Sequence, residues 1–220
     1  MDPPRSRSRH TQPAARRAAA AGLGALILAL GSPAFPAPPA SVVPPAGGPG
    51  QAARPSMDQH FIVMMIPHHD GAIAMADLAL TRAKRPEIRA LARSIKASQT
   101  QENAQMRTWY RAWFGGDVPT WGGAMGHGGG MGGMGMGGMG MGGMGGTDTE
   151  VALIANAPDV DRAFIEQMIP HHRMGVRMAS MAQNGSRHPE LLALQQAMVK
   201  VQSQEIAQMA GWYRNWYGTP

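Results

Sequence analysis

Two kinds of stretch alternate along the chain: those with a helical apolar period and those with none. After Asp58, the residues Phe61, Ile62, Met65, His69, Ala72, Ile73 and Ala76 recur at the steps that place side chains on one helix face. The pattern predicts a helix from an N-cap at Asp58 to about Ala83. It crosses Pro67 unbroken, so a kink is expected there, where proline removes one backbone donor. Pro86-Glu87 opens a second helix, with proline at its first position and an acid in its first turn. Ile88, Leu91, Ile95, Glu102, Met106, Trp109 and Trp113 follow its face, and Gly115-Gly116 ends it. Asp148 to Asn156 predicts a further short helix.

The same pattern then returns at a constant offset of 103 positions. Phe164-Ile165 matches Phe61-Ile62, Met168-Ile169-Pro170-His171-His172 matches Met65-Ile66-Pro67-His68-His69, and Pro189-Glu190 matches Pro86-Glu87. The ending Trp109-Tyr110-Arg111-Ala112-Trp113 returns as Trp212-Tyr213-Arg214-Asn215-Trp216. This is a duplicated helical hairpin. One hairpin cannot easily bury its own apolar faces, whereas two can. The expected fold is therefore all-α, a four-helix bundle from two duplicated hairpins. Rings at the helix ends, Trp109, Trp113, Trp212 and Trp216, suit caps on its core. The connection between hairpins, at about 5–6 Å times the square root of its length, reaches either end of the bundle. The relative orientation of the two hairpins stays open.

Outside the hairpins no apolar face exists. Residues 1–37 have the form of an export signal: Arg5, Arg7, Arg9, Arg16 and Arg17, then a short apolar run from Ala18 to Leu30, then small residues around Ser32-Pro33-Ala34 and Ala37. The run falls short of the roughly 20 residues of a membrane span, so cleavage is expected, with an uncleaved anchor as the alternative. Residues 38–56 form a Pro/Ala/Gly-rich tether. The hairpins occupy 57–116 and 148–220, joined by a Gly/Met-rich segment at 117–147. The formal charge of +6 resides mainly in the export signal, which carries five arginines and one aspartate. No nucleic-acid surface is implied. An exported localisation, periplasmic or extracellular, follows.

The chain has no cysteine and 19 methionines. A soft metal would therefore be held by thioether and imidazole. Placing the first turn near Arg85 sets His68 and His69 opposite Glu102 and Gln101, and Met65 level with Met106. Around His188 the second hairpin sets His171 and His172 level with Glu205, and Met168 level with Met209. On the helix wheel Met65, His68 and Met75 share a stripe, as do Met168, His171 and Met178. His68 and His171 are therefore the expected inward ligands. His69 and His172, about 100° further round, are expected to bind at the edge or to turn outward. Each methionine taken singly is ordinary core filling, and a lone buried histidine is ordinarily a hydrogen-bonded core residue. Two thioethers, two imidazoles and a carboxylate at one level, twice, exceed what packing requires.

Di-iron bundles place a glutamate three residues before the histidine, whereas here Met65 and Met168 stand there. This favours Cu(I), with silver as its mimic, and His with Glu also accommodates Cu(II). In the glycine-rich segment Met125, His127, Met131, Met134, Met136, Met139, Met141 and Met144 offer further soft donors on a chain free to wrap an ion.

These residues resemble the family called domain of unknown function 305. It pairs Met-x-x-His-His with a helical Gln-x-x-Glu-x-x-x-Met segment and an aromatic end. Here those are Met65 to His69 with Gln99 to Met106 and Trp109, then Met168 to His172 with Gln202 to Met209 and Trp212. The resemblance implies a ferritin-like four-helix arrangement and, from its exported copper-binding members, copper handling outside the cytoplasm; it implies no enzymatic activity, and none is expected. The reading is a copper-binding protein that sequesters copper or delivers it to a transport partner. Two rivals stand beside it. One is a ferritin-like metal-dependent oxidase, which would draw on Glu102, Glu205 and Glu166. The other is a metal-free structural domain.

Overall fold

The computed structural model describes residues 55–119 and 146–218. These form five helices and, among the described residues, no strand: α1 Met57–Arg82, α2 Pro86–Phe114, α3 Gly146–Ala155, α4 Val160–Gln183 and α5 Pro189–Tyr217. The all-α bundle is as the period predicts. The export signal, most of the tether and the Gly/Met donors Met125 to Met144 lie outside the described residues. Among the described residues no helix is long and apolar enough to cross a membrane.

The N-cap of α1 is Ser56, not Asp58. Ser56 Oγ accepts from the Gln59 amide at 3.2 Å, and Gln59 Oε1 accepts from the Ser56 amide at 3.0 Å. This reciprocal box satisfies two donors and frees Asp58 for another role. α1 continues through Pro67, as α4 does through Pro170. Asp159 caps α4 by accepting from the Arg162 amide at 3.1 Å. Pro86 and Pro189 start α2 and α5. Gly115 and Gly218 end them at φ +70° and +85°, backbone that only glycine adopts without strain.

The hairpins α1–α2 and α4–α5 meet through α1 and α4, which run antiparallel. Contacts at both ends set this direction. Asp58, fully buried at the start of α1, accepts at the α4–α5 turn from the Ser186 hydroxyl (2.8 Å), the Arg187 and His188 amides (3.0 and 3.2 Å) and the His188 ring (2.5 Å). Its repeat equivalent Asp161 accepts at the α1–α2 turn from the Lys84 and Arg85 amides at 3.1 and 3.2 Å. Each hairpin thus caps the turn of the other. The aromatic ends take part too. Trp113 stacks on His188 with centroids 3.7 Å apart, and the Arg85 guanidinium lies 4.0 Å from the Trp216 ring.

Two apolar clusters fill the bundle. One holds Met75, Ile88, Ile95, Phe164, Ile165, Met168 and Met209. The other holds Phe61, Ile62, Met65, Met106, Trp109, Leu191 and Met198, with Met178 packed against it. The polar motif residues occupy the level between them. α3 packs on α1 and α4, anchored by the fully buried Ile154 and by Arg82, which donates to the Ala155 carbonyl.

Candidate metal centre

Four histidines make the polar layer, and they fall into two kinds. His69 and His172 are fully buried, and it is they, not His68 and His171, that bond the glutamates of their hairpins. His69 Nε2 stands 2.7 Å from Glu102 Oε2, and His172 Nε2 stands 2.8 Å from Glu205 Oε2. The expectation that these two rings sit at the edge or turn outward is overturned. Burying a carboxylate is costly, and an imidazole N–H within the same hairpin offsets that cost, which draws the ring in. With Nε2–H donating, a neutral ring leaves Nδ1 as a lone-pair acceptor. Nδ1 of both rings is buried without a hydrogen-bond partner.

His68 and His171 are the second kind. Their rings are parallel within 7°, with centroids 3.9 Å apart, one from each hairpin. Nε2 of His68 and both ring nitrogens of His171 are buried without a partner. Burial, the neighbouring His69 and the nearby His172 lower the His68 pKa to about 3. Burial and the neighbouring histidines, His68 foremost, lower that of His171 to about 2. Both rings are therefore neutral over the physiological range, the form that can donate to a metal.

The thioethers flank this layer. Met65, Met75, Met106, Met168 and Met209 are fully buried, while Met178 is partly buried. Their grouping differs from the expectation of one complete set per repeat. Met75 belongs to the cluster of Met168 and Met209, and Met178 packs on that of Met65 and Met106. The antiparallel arrangement of α1 and α4 brings the end of each helix beside the start of the other, so thioethers are shared between repeats.

Comparisons with known proteins bear on the same residues. The model of the family described as Domain of unknown function (DUF305) matches residues 58–213. The chain belongs to this family. Among solved structures, CopM in the Cu(I)-bound form is 41% identical, with a TM-score of 0.59, covering 73% of this chain and 98% of that one. CopM in the Cu(II)-bound form is 42% identical, with a TM-score of 0.60 and coverage of 73% and 97%. A DUF305 protein from Streptomyces coelicolor is 25% identical, with a TM-score of 0.56 and coverage of 73% and 92%. No curated protein matches significantly.

The DUF305 motif glutamines complete the layer. Gln99 and Gln202 are buried, and Oε1 of each is without a partner. Gly175 makes room beside them: a Cβ there would collide with Gln202 Oε1 and come within 3.0 Å of His68 Nε2. Glu166 is not part of the layer. It sits on the surface, accepting from Arg162 Nε and from the Tyr213 hydroxyl, both at 2.8 Å. Those hydrogen bonds, that from Arg162 first, hold its pKa below the usual value. The carboxylate that does approach is Glu150 of α3, whose Oε2 lies 4.0 Å from His171 Nε2. Burial raises its pKa. Sequence reasoning missed Glu150 because α3 lies outside the duplicated pattern. Among the described residues, no three histidine, aspartate or glutamate side chains form a ready-made metal site. Coordination here would need thioether or amide donors, or a small rotation of the rings.

Proposed function

We propose that this DUF305 chain is an exported copper-binding protein that sequesters copper or delivers it outside the cytoplasm. The observation that carries this reading is the set of buried, partnerless imidazole nitrogens between two thioether clusters. A buried lone pair without a partner is costly, and a core residue would not retain several at one level without use. CopM structures with Cu(I) and Cu(II) bound, at 41% and 42% identity, support copper as the ion. A CopM structure with silver bound supports the preference for soft metals.

The proposed ligands are Met65, Met106 and Met178 with His69, and Met75, Met168 and Met209 with His172, beside His68 and His171. Glu102 and Glu205, expected as ligands, act instead through the rings. Each holds its histidine in the tautomer that presents Nδ1, as carboxylates commonly do behind metal-bound imidazoles. Met125 to Met144 and His127 would gather Cu(I) loosely and raise its concentration near the bundle. Binding is favoured over oxidase chemistry because two interior carboxylates are engaged by histidines and Glu166 faces solvent. The N-terminal arginine-then-apolar pattern supports export.

Thermal melts of protein lacking residues 122–145 test the reading. A ligand at a hundred times its Kd adds about 2.7 kcal/mol to a folded state it prefers. Cu(I) should raise the midpoint far more than Fe(II). Equal shifts would support the oxidase, and no shift with any metal would leave a structural domain.

A further inference from the structure

Next to the histidine layer lies a charged side chain that comes from outside the duplicated hairpin pattern. α3 has no counterpart in the first repeat's pattern, and the position that matches Glu150 at the repeat offset is Gly47. Glu150 is only partly exposed, and its carboxylate points at His171. His171 is 5% exposed and its two ring nitrogens have no partner. His68 Nε2 and Gln202 Oε1, equally partnerless and buried, both line the space that Gly175 leaves open. Four donors from α1, α3, α4 and α5 thus gather around the meeting point of the two hairpins.

We propose that Glu150 completes a single inter-hairpin site for Cu(II), with His68 and His171 as imidazole ligands and Gln202 Oε1 as a further oxygen donor. This deepens the copper-binding reading and rests on it. The donor chemistry differs from that of the flanking clusters. Imidazole, carboxylate and amide oxygen suit Cu(II), whereas the thioether sets suit Cu(I). The rings are stacked with their planes parallel, so binding turns them out of the stack while Glu150 moves in. Because Glu150 lies outside the duplicated pattern, the duplication does not generate a second copy of this site. α3 also follows directly on the Gly/Met segment, so the site lies where that segment enters the fold.

The test uses the full chain and Glu150→Gln, which keeps size and polarity but removes the charge. Cu(II) binding is measured by chelator competition and by electron paramagnetic resonance, and Cu(I) binding by a Cu(I) chelator. The parent should show a Cu(II) signal with nitrogen coupling from imidazole. The variant should bind Cu(II) at least about tenfold more weakly, with an altered signal and Cu(I) affinity held within about twofold. An unchanged Cu(II) affinity and spectrum in the variant would overturn the proposal while leaving copper binding intact. Equal losses of Cu(I) and Cu(II), with a lowered metal-free melting point, would also overturn it, since Glu150 would then act through the fold. A parent that binds neither ion would overturn both this site and the function it rests on. Glu150→Asp guards against a special effect of the amide. It keeps the charge and should retain the nitrogen-coupled signal at intermediate affinity. An Asp variant no better than Gln would overturn a ligand role for the carboxylate.

Discussion

His68 and His171 occupy equivalent positions in the repeat, and their rings lie face to face at 3.9 Å where the hairpins meet. Both are neutral because protonation would place a charge in a buried layer that already holds two more histidines.

That neutrality makes metal-free stability depend on pH. The folded pKa values, about 3 and about 2, lie below the ordinary 6.5. Between those limits the unfolded chain binds more protons, so stability rises with pH and is lost on acidification below 6.5. At pH 5 each ring should cost about 2 kcal/mol relative to pH 8. Urea denaturation across this range, with His68→Gln and His171→Gln combined, checks it. The variant should lose most of the slope.

Glu102 and Glu205 should matter to copper without touching it. Their replacement by glutamine removes the charge that orients His69 and His172. Cu(I) affinity, read by chelator competition, should fall about 10- to 100-fold. An unchanged affinity would show that the rings need no such partner.

Asp58 and Asp161 should matter to folding and not to copper chemistry. Each is buried and satisfies donors in the turn of the other hairpin. Alanine at either should cost about 2–4 kcal/mol, since buried backbone donors lose charged acceptors. Residues 57–116 expressed alone should fold poorly or dimerise, which light scattering and circular dichroism would reveal.

Gly175→Ala separates packing from function. The added methyl meets the mobile end of Gln202 and the Nε2 of His68. Gln202 can swing aside, and alanine favours helix by about 1 kcal/mol over glycine. Stability should therefore change by no more than about 1 kcal/mol, while Cu(II) affinity falls because the space between donors is filled. A loss of stability with intact binding would show that the space is structural only.

The duplicated hairpin, the start of α2 and α5 at Pro86 and Pro189, and the common level of each histidine pair with Glu102 or Glu205 were all legible in the sequence. Each rests on local rules, since helical period marks the buried face and a short turn sets which residues of a hairpin lie level. The cap of α1 was misplaced by two residues, because Ser56 and Asp58 are both good caps and only the packed turn shows that Asp58 has another partner. The direction of α4 against α1 was decided by tertiary structure, and with it the His68–His171 stack and the sharing of Met75 and Met178 between repeats. So was the approach of Glu150 to His171. A period reports that a face is buried but not what buries it. The mate of α1 comes from beyond a long connection that imposes no register, so complementary ends at Asp58 and Asp161 had to make the choice.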